Sequence, residues 1–235
     1  MLPLAILAGG YATRLGELTK DSPKCLIEVN GRLFVDWQLD LLVKSGYSNF
    51  IFCVSHKSEM VQNYLGDGSS WGVRIQYSFD GETQLGTGGA IQKALPLLGD
   101  SFGVIYGDSY LPIDYSAVEL NFLNSKSQGL MTVYKNQNQF DASNVEYTAG
   151  KLLNYQKGMN DRKMHHIDYG LTYFRRGAFQ AKSNEASFDL ASICSLLAKE
   201  GKLGGFEVFQ RFYEIGSVKG LKEFSDYLRS APNEL

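Results

Sequence analysis

The run Leu7-Ala8-Gly9-Gly10-Tyr11-Ala12-Thr13-Arg14-Leu15, followed at short distance by Pro23-Lys24, combines the residue types that handle a polyphosphate. Glycines let backbone N–H groups come close to phosphate oxygens, and a planar guanidinium with a mobile ammonium supplies charge along the chain. Arg14 and Lys24 are the candidate cations. The string is neither G-x-x-x-x-G-K-[ST] nor G-x-G-x-x-G, so the P-loop and the dinucleotide fingerprint both fail. Gly9-Gly10 taken alone also fits an ordinary strand-to-helix turn beside surface charges. A second glycine cluster, Gly86-Thr87-Gly88-Gly89, stands ahead of a helical pattern and offers helix N-terminal N–H groups, or simply starts the helix. Asp108 follows an apolar run and a glycine, which puts its carboxylate at the end of a strand, free to enter a cleft or to cap the turn.

These residues need elements that bring them to one edge. Leu2 to Ala8 reads as a parallel strand buried on both faces, delivering its loop at the C-terminal end where ligands bind such sheets. Helical spacing over Leu33–Lys44 closes at Gly46; Phe50–Val54 is a second strand, Ser58–Leu65 a helix ended by Gly66, and Val73–Phe79 a third strand. Ala90–Leu98 resumes a helix, and Phe102–Tyr106 is a fourth strand. The alternation predicts an α/β fold with a Rossmann-like, doubly wound mixed sheet. Ala117–Asn124 and Leu130–Tyr134 continue it as helix and strand. Asn144–Tyr147, Lys151–Tyr155 and Ile167–Arg175 are strand-like, polar-flanked and separated by turn residues, so they predict a small β-hairpin layer over the sheet edge. Phe188–Lys199 and Val218–Leu228 are helical, with a strand begun by Leu203–Phe206.

The 235 residues suit a single domain with a sizeable core, and a formal net charge of −2 gives no basic field for nucleic acid. Cys25, Cys53 and Cys194 are odd in number and far apart, which fits neither a disulfide framework nor a zinc site and points to a reducing, cytoplasmic setting. No stretch reaches the roughly 20 apolar residues that a membrane span needs. No linker or repeat divides the chain. His165 and His166, adjacent on a strand, face opposite sides and cannot share a metal, and His56 lies in a loop.

Residues 7–24 resemble the L-A-G-G-x-G-T-R-L…P-K signature of sugar-phosphate nucleotidylyltransferases, with Ala12 in place of the third glycine. Gly86-Thr87-Gly88-Gly89, Gly107-Asp108, Lys157, Asp168-Tyr169-Gly170 and Tyr213-Glu214-Ile215-Gly216-Ser217 follow in that family's order. The strings L-G-T-G-G-A, D-Y-G-L and Y-E-I-G-S look most like the short D-glycero-α-D-manno-heptose 1-phosphate guanylyltransferases. The resemblance implies transfer of a nucleoside monophosphate from a nucleoside triphosphate, GTP in its sharpest form, to a sugar 1-phosphate. It implies Leu7, Ala8, Gly9, Gly10, Thr13, Arg14, Thr87 and Gly88 as nucleotide contacts. Arg14, Lys24 and Asp108 are implied as catalytic, and Asp108 with Glu214 as ligands of Mg²⁺. Glu214 stands where the wider family carries an aspartate, and a structural salt bridge is its other reading. Asn144, Lys157, Asp168 and Gly170 are implied on the sugar-phosphate side; for the first three a solvated surface position is the other reading. Residues 1–110 would form the nucleotide half and 111–235 the sugar half, without the C-terminal β-helix domain of longer relatives. Cytidylyl or uridylyl transfer to another phosphorylated acceptor, and a catalytically silent nucleotide-sugar binder, are the alternatives. Oligomerisation, including a homo-oligomer, is left open.

Overall fold

The computed structural model describes residues 1–10, 22–158 and 162–230. Its elements run β1 (Leu4–Leu7), β2 (Glu28–Val29), β3 (Arg32–Leu33), α1 (Phe34–Lys44), β4 (Asn49–Val54), α2 (Ser58–Leu65), β5 (Arg74–Phe79) and α3 (Gly86–Leu98). There follow β6 (Ser101–Tyr106), β7 (Ser109–Tyr110), α4 (Tyr115–Asn124), β8 (Gly129–Lys135), β9 (Val145–Thr148), β10 (Lys151–Tyr155) and β11 (His166–Arg175). The chain finishes with α5 (Leu190–Lys199), β12 (Leu203–Val208), β13 (Tyr213–Glu214) and α6 (Val218–Ser230). β1 begins only at Leu4, after Pro3, a residue with no N–H to give to a ladder.

β1 lies between β4 and β6, parallel to both, and β5 extends the parallel set beyond β4. β11 is antiparallel to β6 and to β8, and β12 runs parallel to β8, so one nine-stranded mixed sheet results. Alternate side chains of β1 and β4 enter opposite cores. Leu4, Ile6, Phe50, Phe52 and Val54 pack with Val35, Leu39 and Leu42 of α1, Val61 of α2 and Val118 and Phe122 of α4. Ala5, Ile51 and Cys53 pack with Ile91 and Ala94 of α3 and Ile193 and Leu197 of α5. Helices therefore cover both faces, as a doubly wound sheet requires. Each fully buried Leu, Ile or Phe contributes about 1.5–3 kcal/mol. The helix after β1 and the helix before β6 lie on opposite faces, which opens a crevice beyond the carboxyl end of β1.

The three polar-flanked strands do not form one layer. β11 is an inner strand of the sheet, its Leu171, Tyr173 and Phe174 fully buried. Only the β9–β10 hairpin lies over a face: it joins β11 through the His166–Val145 pair, and Tyr147 and Leu152 cover Gly205 of β12. A Cβ on Gly205 would stand 2.7 Å from the Tyr147 ring, so the hairpin's close approach depends on that glycine. The helix of residues 86–98 starts inside the glycine cluster, four residues earlier than its apolar spacing indicates, because Gly86 at φ +69 permits the turn into it.

Candidate active site

Leu7, Cys53 and Tyr106 stand in register at the carboxyl ends of β1, β4 and β6. Past them the chains stay close: Ala8 N–H donates to Cys53 O at 2.9 Å and Gly107 N–H to Leu7 O at 2.9 Å. A Cβ on Gly9 would sit 3.0 Å from Ser55 Cβ, and one on Gly107 3.0 Å from Leu7 O, so these two glycines are what lets the strand ends converge. Above them opens a chamber of about 290 Å³ lined by Leu7, Ala8, Gly9, Gly10, Lys24, Asp80, Gln84, Thr87, Tyr106 and Asp108, among others. Gln84 Nε2 donates to Gly9 O at 3.1 Å and so ties its two glycine loops together. Thr13 and Arg14 lie outside the described residues.

Lys24, in the short 3-10 turn Lys24–Leu26, places its ammonium 3.1 Å from Asp108 Oδ2. The turn that carries Asp108 is braced from below. Gln38 of α1, fully buried, donates to Tyr106 O at 2.9 Å and to Ser109 O at 2.6 Å. From the far end of the chain, β13 pairs antiparallel with β7, with Glu214 opposite Ser109, and Ile215 N–H donates to Asp108 O at 3.0 Å. Packing of Tyr110, Ile215 and Phe224 holds this small sheet in place. Asp108 and Glu214 thus converge: a Cβ on Gly216 would lie 2.5 Å from Glu214 Oε2 and 3.4 Å from Asp108 Oδ2. Burial and then the nearby Asp108 charge push the Glu214 carboxyl above the usual range, against the pull of Gly216 N–H and Ser217.

A second chamber, about 330 Å³, shares Tyr106 and Asp108 with the first. Asn144, Lys157, Asp168, Gly170 and Glu214 all line it. Asn144 Oδ1 accepts from Asp168 N–H at 2.9 Å, and Asp168 Oδ1 from Gly170 N–H at 3.0 Å. The pairing of β11 with β8 is interrupted between Asp168 and Thr172, where Gly170 sits at φ +109. That bulge aims the Asp168 carboxylate out of the ladder. Burial pushes its pKa up to about 6, although Gly170 N–H, Lys157 and Tyr155 all favour the ionised form.

Two residues of the glycine cluster have other partners. Gly88 does not line either chamber; its N–H donates to Phe188 O at 2.9 Å, and a Cβ there would meet the Phe188 ring at 2.3 Å. Thr87 lines the first chamber, but its hydroxyl donates to Asp189 Oδ1 at 3.1 Å and accepts from Leu190 N–H at 2.8 Å. His165 and His166 line neither chamber; buried His166 instead approaches Glu207 Oε1 at 3.2 Å. Gln38, Tyr106, Tyr155 and Arg211 also line or brace the chambers, and no motif in the sequence singles them out. Gln38 interrupts an apolar helix face beside Leu39 and Leu42, a signal that a buried amide has a partner to satisfy. Arg211 lines the second chamber, lies over the Phe140 and Tyr213 rings at 4.0 and 4.9 Å, and is paired with Glu223. No local pattern marks it.

Residues 4–143 match the model of the family described as "Nucleotidyl transferase". A D-glycero-α-D-manno-heptose 1-phosphate guanylyltransferase from Campylobacter jejuni is 37% identical over 136 residues, 58% of each chain. An N-acetylmuramate α-1-phosphate uridylyltransferase from Neisseria meningitidis is 38% identical over 113 residues, 48% of this chain and 49% of the relative. The chain thus matches about half the length of these curated relatives. The crystal structure of HddC from Yersinia pseudotuberculosis superposes with a TM-score of 0.80 at 20% identity, over 97% of this chain and all of that one, which shows the shared fold.

Proposed function

This chain belongs to the nucleotidyl transferase family, and from that premise we propose that it joins a nucleoside monophosphate to a sugar 1-phosphate with release of pyrophosphate. The observation that carries the reading is the pair of chambers meeting at Asp108. One has glycine loops and Lys24, suited to a triphosphate. The other has Lys157, Asn144 and Asp168, suited to a phosphorylated polyol.

In this reading an acceptor phosphate oxygen attacks the α-phosphorus. A new O–P bond forms, the bond to the β-phosphate breaks, and its electron pair leaves with pyrophosphate. The attacking oxygen is an anion at neutral pH, so no general base is needed. The protein's task is to hold two polyanions together and to neutralise the charge that builds on the α-phosphate and leaving group. Lys24, in the wall of the first chamber, would take that role, and the family signature assigns Arg14 to it as well. Lys157 would take the sugar phosphate, and Asp168 and Asn144 sugar hydroxyls.

Asp108 and Glu214 fit a hard divalent cation. They offer converging carboxylate oxygens whose mutual repulsion a cation would relieve, and Mg²⁺ binds through one or two carboxylates plus substrate phosphates. When bound, Mg²⁺ would supply charge neutralisation between the phosphates.

The sharpest form of the substrate pair is GTP with D-glycero-α-D-manno-heptose 1-phosphate. The Campylobacter relative and the strings L-G-T-G-G-A, D-Y-G-L and Y-E-I-G-S support it. Uridylyl transfer is the second reading, favoured by the similar identity to the Neisseria relative. Pyrophosphate release with Mg²⁺, each nucleoside triphosphate and a panel of sugar 1-phosphates tests both. GTP and the heptose phosphate should give the highest kcat/KM, and a blank panel removes the transferase reading. Such chemistry suits a cytoplasmic enzyme of nucleotide-sugar biosynthesis.

A further inference from the structure

Asp189 lines neither chamber, yet it bridges the walls of both. Its Oδ1 accepts from Thr87 Oγ1 at 3.1 Å and from Ala191 N–H at 2.9 Å, which caps α5. Its Oδ2 accepts from Lys157 Nζ at 3.0 Å. Thr87 belongs to the first turn of α3, in the wall of the first chamber, and Lys157 to the wall of the second. One oxygen therefore serves the scaffold, and the other serves a lysine that is otherwise half-exposed on the turn after β10.

A pair this exposed contributes little to stability. Its consequence is positional. A free lysine side chain loses much rotamer entropy when a ligand immobilises it. Lys157 has three N–H donors, and Asp189 occupies one, leaving two for a phosphate. The carboxylate that restrains the ammonium is itself tied to the triphosphate side through Thr87.

We propose that Asp189 is the positioning residue that fixes Lys157 relative to the triphosphate chamber, so that the acceptor phosphate meets a lysine already in place. This rests on the transferase reading, with Lys157 on the acceptor phosphate.

Asp189→Asn separates the two functions of the side chain, because asparagine caps a helix as well as aspartate does but cannot hold the ammonium by charge. In the full-length protein, with the substrate pair that gives the highest turnover, D189N should lower kcat/KM for the acceptor about tenfold. KM for the triphosphate and Tm should stay near wild type. In a Lys157→Ala background the same substitution should change acceptor kcat/KM no further. An unchanged or higher acceptor kcat/KM in D189N would overturn the proposal, the latter by showing that Asp189 competes with the phosphate. An equal loss in the Lys157→Ala background would also overturn it. A wild-type protein inactive on every pair would instead remove the transferase reading, and this inference with it.

Discussion

The Lys24 ammonium and the Asp108 carboxylate, 84 positions apart in the chain, form an ion pair of 3.1 Å where the two chambers meet. Each side chain retains about a quarter of its exposure, 22% for Lys24 and 25% for Asp108, so Lys24 is open to a ligand in the first chamber and Asp108 to one in either. A partly hydrated pair of this kind can be exchanged for phosphate and a cation at low cost.

Asp108→Asn should keep the fold, because the Ile215 N–H bond to Asp108 is made to the backbone oxygen. Turnover should fall by at least about 10²-fold, the scale for losing one electrostatic group at a reacting phosphate. Glu214→Gln should raise the Mg²⁺ concentration for half-maximal activity by about tenfold. Pyrophosphate release against Mg²⁺ concentration, with a thermal melt of each variant, checks both. A fully active Asp108→Asn variant would take Asp108 out of the site. Chelation of divalent cations should abolish turnover of the wild type, with recovery on adding Mg²⁺.

Asp168 makes a pH prediction with a definite sign. Its folded pKa, pushed up to about 6 by burial, lies above the unfolded value of about 4. Between those values the folded state binds more protons, so this group removes stability as pH rises from about 4 to 6 and leaves a constant penalty above. Asp168→Asn should therefore raise Tm at pH 8 and lose that advantage towards pH 4. The same substitution should weaken the acceptor, because the ionised carboxylate is the better partner for a sugar hydroxyl. Sugar phosphates also take up a proton near pH 6, so the wild-type acceptor profile should be steeper than that of the variant. Equal profiles would exclude Asp168 from acceptor binding.

Gln38→Leu should expose how much of Asp108's placement is architectural. Losing the amide strands the carbonyls of Tyr106 and Ser109, costing about 1–3 kcal/mol for each buried group left unpaired. Both flank Asp108, so kcat should fall beyond what the change in Tm accounts for. Circular dichroism melts and steady-state kinetics on the same preparation measure the two effects.

Gly88→Ala tests packing apart from binding. The new methyl would stand 2.3 Å from the Phe188 ring and 3.0 Å from its carbonyl oxygen, so α3 or the 186–189 segment must shift. Overpacking of this kind costs about 1–3 kcal/mol. Tm should drop by several degrees while triphosphate KM in the folded fraction changes little; a selective rise in that KM would place Gly88 against the nucleotide instead.

Local pattern made much of this molecule legible. Leu2–Ala8 and Phe50–Val54 announce buried parallel strands because both faces of a doubly wound sheet exclude water, and every such position must be apolar. Gly66 marks the end of α2, since a chain leaving a helix at positive φ favours the residue without a Cβ. The glycine loop, Gly107-Asp108, and the Asp168-Tyr169-Gly170 and Tyr213–Ser217 strings were visible as short runs in which backbone geometry and chemistry are set by neighbours.

What the sequence could not contain is the meeting of distant segments. Glu214 reaches Asp108 only because β13 pairs with β7 across more than a hundred residues. Gln38, Tyr106 and Arg211 acquire their places from packing partners on other elements, and Gly88 and Thr87 are turned to Phe188 and Asp189 by the docking of α5 on α3. The β11 segment looked like a covering hairpin strand because its polar positions sit at the Asp168 bulge; tertiary pairing with β6 and β8 made it an inner strand. Spacing along a chain specifies dihedral preferences and which face is apolar. Which carboxylate, amide or lysine then occupies a given point in a cleft is decided by long-range packing, whose energy is shared among many residues and written in no single run.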